Sequence, residues 1–211
     1  AGTDTIKIVG VPKLPGNATY SIIPDQIEAG TFMMAAAASK GDITITNCIT
    51  KHLDSISAKL IEMGINVEEN DAGDAIRVYY TKRPSKASIK TLPYPGFPTD
   101  MQAPFTSLLS LCEGTGVIVE TVFENRFLHI GELNRMGASI RIDGRTSVIE
   151  GVKSLSGAKV NALDLRGGAA LTLAAMSANG ETEISGIEHI ERGYENFVDK
   201  FSNIGAKIIK D

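Results

Sequence analysis

The chain has 211 residues, 43% of them hydrophobic, enough to bury the core of one large domain or two small ones. A net charge of −4 and a pI of about 5.5 give no global basic field for nucleic acid, and no apolar run reaches the ~20 residues of a membrane-spanning helix. No secretory pattern opens the chain, and Cys48 and Cys112 have neither metal nor redox spacing. Both read as small buried hydrophobes, in keeping with a cytoplasmic protein that needs no metal or cofactor.

The first residue is Ala rather than Met, which fits a processed or excised piece of a longer protein. Residues 5–10 alternate like a strand and have no later counterpart; the stretch from Gly10 to Gly16, with two prolines, reads as a linker. Residues 1–16 therefore read as the end of a further unit, whose remainder lies upstream, plus a linker. Residues 17–211 form one domain of three repeats, 17–80, 86–150 and 157–211.

Each repeat is built alike. Residues 18–23, 87–92 and 158–163 alternate as strands do. Asp25, Asp100 and Asp164 follow, each sixteen residues before a glycine: Gly41, Gly116 and Gly180. Aspartate suits a helix N-cap because its carboxylate accepts from free first-turn amides, and Glu28 after Asp25 and Thr99-Asp100-Met101-Gln102 both resemble capping boxes. The first helices are apolar nearly all round and rich in Ala and Gly, as buried, closely packed helices are. Strands are expected at 42–46, 117–121 and 181–184. Second helices then end at Gly64, Gly137 and Gly205, where a left-handed C′ residue is expected. Further strands follow at 66–69, 139–142 and 207–209, and the first two units add 75–80 and 146–150. The unit reads βαβαββ with right-handed crossovers. A period of 64 to 75 residues is too long for an ordinary solenoid, so three large units closing around one axis are expected.

The symmetry breaks before Asp100. Residues 93–99, Pro-Tyr-Pro-Gly-Phe-Pro-Thr, form a stiff inserted loop ahead of only one of the three aspartates. Lys51, Arg126 and Arg192 lie 26, 26 and 28 residues after the respective aspartates, at the entrance to each second helix. Helix N-termini already attract anions. Arg126, Arg192 and Arg166 are expected to converge with the aspartates at one end of the domain, a mixed ring suited to a phosphorylated or carboxylated substrate bearing hydroxyls. The same spacing also fits structural ion pairs and caps. Capping is the expected role of Asp25, while its loop makes Asp100 the stronger functional candidate. His52, His129 and His189 have no metal spacing and read as surface or core residues.

Three segments together, Phe97-Pro-Thr-Asp100-Met-Gln102, Glu120-Thr-Val-Phe-Glu-Asn-Arg126-Phe127 and His189-Ile-Glu-Arg192-Gly-Tyr-Glu195, resemble the UDP-N-acetylglucosamine 1-carboxyvinyltransferase family over essentially the whole chain. The resemblance implies a mixed α/β fold of two similar domains, each of three βαβαββ-type units with helices inside and sheets outside, the chemistry lying in the cleft between them. This chain resembles the second domain plus the last strand of the first. The resemblance implies transfer of the enolpyruvyl group of phosphoenolpyruvate to the 3′-hydroxyl of UDP-N-acetylglucosamine, with release of phosphate, in peptidoglycan synthesis. Asp100 is then the candidate base on the sugar hydroxyl. Val122 touches the nucleotide sugar through its backbone, and Arg192 holds the phosphoenolpyruvate anion. Arg126, Arg166, Asp25 and Asp164 match cleft positions. The proton-donating cysteine of the family belongs to the other domain, as neither Cys48 nor Cys112 lies in a matching loop, and the N-terminal strand that completes this domain in the family is missing. The chain alone is therefore expected to show little or no turnover. Two other readings stay open: a transferase acting on shikimate 3-phosphate, and a non-catalytic module of the same fold.

Overall fold

The computed structural model describes residues 5–210. Its centre is made of three helices, α1 (Gln26–Ser39), α3 (Gln102–Leu109) and α5 (Leu165–Ser177), each the first helix of one repeat and each packed on the other two. Their composition explains the place they take. Met33, Met34, Phe105, Leu108, Leu171 and Leu173 fill the centre, while Ala35 to Ala38, Ala169, Ala170 and Ala174 let the helix axes approach. Thr31, Thr106 and Thr172 are buried in that apolar setting and donate to the carbonyl four residues back, and Ser107 donates across the helix pair to the Ala170 carbonyl at 2.7 Å. Buried hydroxyls are thereby satisfied within the helix layer.

Sheets lie outside this core. In the first unit β3 (Ala75–Tyr79) runs antiparallel between β1 (Asp42–Thr46) and β2 (Asn66–Glu69). Ile76 and Val78 turn inward, while Arg77 turns out to pair with Asp42 at 2.7 Å. The second unit repeats this with β5 (Thr115–Val119), β7 (Thr146–Glu150) and β6 (Ser139–Asp143), and adds β4 (Ser88–Lys90) parallel to β5. In the third, β9 (Lys159–Asn161) pairs parallel with β11 (Glu183–Ser185), and a two-residue pair joins β8 (Leu155–Ser156) to β10 (Ala178–Asn179), which the sequence did not announce.

The second helices, α2 (Asp54–Glu62), α4 (Leu128–Arg135) and the split pair α6 (Glu188–Glu191) and α7 (Phe197–Asn203), brace the sheets. They end as the glycine spacing predicts. Gly64, Gly137 and Gly205 have φ of +83°, +93° and +100°. The following amides of Ile65, Ala138 and Ala206 return to the carbonyls of Leu60, Leu133 and Phe201 at 2.9, 3.0 and 3.0 Å, the same helix stop written three times.

Three expected strands are not formed. Residues 5–10, 18–23 and 207–209 have no regular secondary structure, and Ile6, Ile22 and Ile209 are almost wholly exposed. An alternating pattern marks a segment able to be a strand; the ladder itself comes from a neighbour. Residues 87–92 and 158–163 find that neighbour in β5 and β11, whereas 18–23 stand away from β1. Where residues 206–209 run past the third unit, an open groove of about 960 Å³ separates it from the first, lined by Ala36, Ile43, Ile184, Phe197, Phe201 and Ile208. The capping boxes also differ from expectation. Glu28 pairs with Lys200 of α7 at 2.6 Å, and Asp100 lies in a single 3-10 turn, Thr99–Met101, ahead of α3, whose N-cap position is Met101. No helix is long and apolar enough to cross a membrane among the described residues.

Candidate active site

The three equivalent aspartates do different work. Asp25 accepts from the Ile27 amide at 2.7 Å and Asp164 from the amides of Arg166 and Gly167 at 2.9 and 2.8 Å, so both cap their helices. Asp100 caps no helix among the described residues. Its Oδ1 accepts from Arg126 at 2.6 Å and its Oδ2 from Arg166 at 3.0 Å. The inserted loop is the reason for the difference. Phe97 is buried and meets the Phe105 ring edge-on at 5.2 Å, and the Leu92 amide donates to the Phe97 carbonyl at 3.0 Å. That anchor sets Thr99 and Asp100 on a 3-10 turn.

Burial by itself would raise the Asp100 pKa. The Arg126 hydrogen bond and the charges of Arg166 and Arg126 outweigh it and hold the carboxyl below the usual carboxylate value. The side chain still keeps about a third of its surface open. A carboxylate offers roughly four acceptor positions, and the arginines use two. A ligand hydroxyl can therefore reach Asp100 without displacing either guanidinium.

Arg166 is the more enclosed arginine. Its Nη1 is buried with no hydrogen-bond partner among the described residues, and its guanidinium lies 5.5 Å from the ring centre of Tyr194. The Tyr194 hydroxyl is 2.9 Å from Thr31 Oγ1. Thr31 has one proton and directs it to the Ile27 carbonyl at 2.8 Å, so Tyr194 is the donor. Thr31, Tyr194, Arg166, Asp100 and Arg126 thus form one chain of contacts crossing all three repeats. Burial is the largest influence on Tyr194 and pushes its hydroxyl pKa up.

Arg126 is held from three sides, by Asp100, by Thr99 Oγ1 at 2.7 Å and by the Phe123 ring at 4.6 Å from its centroid. Val122 is exposed on the adjoining turn, its amide given to Glu120 at 2.8 Å. Arg192 is exposed at the C-cap of α6, two residues before Tyr194, and Lys51 is exposed in the 3-10 turn before α2; neither makes an ion pair among the described residues. Of the candidates read from sequence, the structure joins Asp100, Arg126 and Arg166 directly and leaves Asp25 and Asp164 as caps. Glu120, Thr99, Tyr194 and Thr31 are additions. No spacing rule singles them out; the one available signal is an acidic residue, Glu120, directly after the apolar strand Val117-Ile-Val119.

Cys48 and Cys112 are buried and unbridged, as their spacing implies, and burial pushes the Cys112 thiol up to about 12. His129 is a core residue of α4. Burial lowers its pKa to about 4, with Asp164 opposing and Arg126 adding.

A core of three mutually packed helices inside outer sheets is a fold shared with the enolpyruvyl transferases. The family model for EPSP synthase (3-phosphoshikimate 1-carboxyvinyltransferase) matches residues 1–201, and the chain belongs to this family. Among curated relatives it is 53% identical over 210 residues to the UDP-N-acetylglucosamine 1-carboxyvinyltransferase of Clostridium botulinum, covering all of this chain and 50% of that protein. It is 56% identical to UDP-N-acetylglucosamine 1-carboxyvinyltransferase 3 of Caldanaerobacter subterraneus subsp. tengcongensis, with the same coverage. Among solved structures, the enolpyruvyl transferase NikO from Streptomyces tendae superposes with a TM-score of 0.79 at 27% identity, over 88% of this chain and 44% of that one. EPSP synthase from Acinetobacter baumannii shares the fold, with a TM-score of 0.68 at 19% identity over 94% and 47%. The chain spans about half the length of the curated relatives it matches.

Proposed function

We propose that this chain is the second domain of a cytoplasmic UDP-N-acetylglucosamine enolpyruvyl transferase of peptidoglycan synthesis and carries half of its active site. Identity of 53–56% over the full chain to proteins bearing that name is the observation that carries the reading. Its chemistry agrees with the site. The reaction adds the sugar 3′-oxygen to C2 of phosphoenolpyruvate while C3 gains a proton; phosphate then leaves with the C2–O electron pair as C3 gives a proton back. Asp100, ionised and with two acceptor positions open, receives the hydroxyl and its proton. The turn bearing Val122 lies against the nucleotide sugar. Arg192, exposed and without an ion pair among the described residues, meets the carboxylate or phosphate of phosphoenolpyruvate when the cleft closes. Arg126 and Arg166 hold Asp100 in place, while Asp25 and Asp164 fix the two helix entrances beside it. Residues 1–16 belong to the end and linker of a first domain, which supplies the acid that protonates C3. The groove between the third and first units is where a further strand of the whole protein fits.

The family model bears the name of the shikimate 3-phosphate enzyme, which makes that acceptor the second reading. Its solved representatives share only the fold at 18–19% identity. The 211-residue chain given phosphoenolpyruvate and UDP-N-acetylglucosamine is expected to release no phosphate above background. A steady rate from the isolated chain would overturn the half-site assignment.

A further inference from the structure

We infer that Glu120 is a positioning residue that couples the sugar-facing turn to the candidate base. The inference rests on the reading of Asp100 given above and deepens it.

Glu120 follows the last residue of β5 and is 1% exposed, yet among the described residues it makes no ion pair. It is met by four donors. Oε1 accepts from the Thr91 hydroxyl at 2.8 Å and from the amides of Val122 and Phe123 at 2.8 and 3.1 Å. Oε2 accepts from the Thr99 hydroxyl at 2.8 Å. Both oxygens of this buried carboxyl group are thereby satisfied by hydrogen bonds.

The two oxygens serve different arms. The Oε1 arm folds residues 121–123 back over the carboxylate. It occupies the amides of Val122 and Phe123 and leaves both residues exposed. Thr91, at the end of the neighbouring chain segment, ties this arm down again by accepting from the Thr121 amide at 2.9 Å and by its carbonyl accepting from the Thr121 hydroxyl. The Oε2 arm runs the other way. Thr99 gives its one proton to Glu120, which leaves its oxygen facing Arg126 Nη1 at 2.7 Å, and the same guanidinium holds Asp100 at 2.6 Å. One buried carboxylate therefore fixes both the surface on which the acceptor sugar rests and the arginine that aims the base. Networks of this kind act as a unit, so cutting one link is felt at the other end.

The arms predict separable kinetics in the full-length protein. Thr99→Val cuts only the Oε2 arm. It is expected to lower kcat about tenfold or more, with KM for UDP-N-acetylglucosamine within about twofold. Because a loosened Arg126 supports the Asp100 carboxylate less, the acid limb of kcat/KM is expected to move up by about half a pH unit or more. Glu120→Ala cuts both arms and is expected to lower kcat and raise KM together. Glu120→Gln keeps one acceptor oxygen for the turn and turns its amino group to Thr99. It is expected to restore KM to near wild type while kcat stays low. A kcat, KM and acid limb unchanged from wild type in folded Thr99→Val and Glu120→Gln would overturn the inference, and these two variants decide it should Glu120→Ala fail to fold. A lower melting temperature for Glu120→Ala with unchanged kcat and KM would equally overturn it. Wild-type protein silent with UDP-N-acetylglucosamine would instead overturn the functional reading, and the coupling with it.

Discussion

Asp100→Asn in the full-length protein is expected to lower kcat by about 10²- to 10⁴-fold, with a much smaller change in KM for the sugar nucleotide. Asn is close in shape, so the inserted loop and its 3-10 turn should persist. The change is chemical. Both carboxylate oxygens now face guanidinium groups, at 2.6 and 3.0 Å. An amide supplies one acceptor oxygen and points a donor at the other arginine, so one of those contacts turns repulsive. It also has no charge with which to take the proton of an attacking hydroxyl. Loss of the charge should further show as loss of the acid limb that Asp100 contributes to kcat/KM. Turnover within about threefold of wild type would remove Asp100 as the base and reduce the cluster to a structural ion-pair network.

The second large effect is on stability at acid pH. His129 is fully buried, its Nε2 without a hydrogen-bond partner among the described residues, and its folded pKa of about 4 lies below the unfolded value of about 6.5. The unfolded chain therefore binds more protons between those two values, and stability must fall as pH drops through that window. The contribution is complete above pH ~6.5 and amounts to about 3 kcal/mol, lost by pH ~4. Asp164 and Arg126 are the charges His129 feels, and they act in opposite directions. Asp100, whose carboxyl is held low, adds a loss in the same direction at lower pH, because it must bind a proton that its arginines resist. Denaturant unfolding of the chain between pH 7 and 4 should follow this slope. His129→Leu, which cannot titrate, should flatten it by most of that amount. An equal slope in wild type and His129→Leu would show that His129 does not titrate in this window.

Much of the architecture is legible because it is written three times. Spacing locates the buried first helices, the outer strands and the three glycine stops, since each rests on local backbone chemistry: apolar composition, alternation and left-handed turns. Residues 18–23 and 207–209 read as strands by the same alternation and are not, because a ladder is a property of two segments and pattern reports one. The site was legible to the extent that it departs from the repeat. The loop before Asp100 marks that aspartate as different, and the structure gives a physical reason: its anchored turn takes Asp100 off the helix cap that Asp25 and Asp164 occupy. Glu120 and Tyr194 were not legible as partners of that site. Their roles depend on burial and on contacts between residues 21 to 163 positions apart, as in Thr99 with Glu120 and Thr31 with Tyr194, and no local pattern encodes such pairs. The resemblance to the carboxyvinyltransferases supplied the substrate, which geometry alone does not identify.

The most direct test of the account is phosphate release by the full-length protein given phosphoenolpyruvate with either UDP-N-acetylglucosamine or shikimate 3-phosphate. Release with the sugar nucleotide alone is the predicted result. Release with shikimate 3-phosphate alone would keep the family and the reaction type but contradict the proposed acceptor, and no release with either from folded protein would contradict the proposed activity itself.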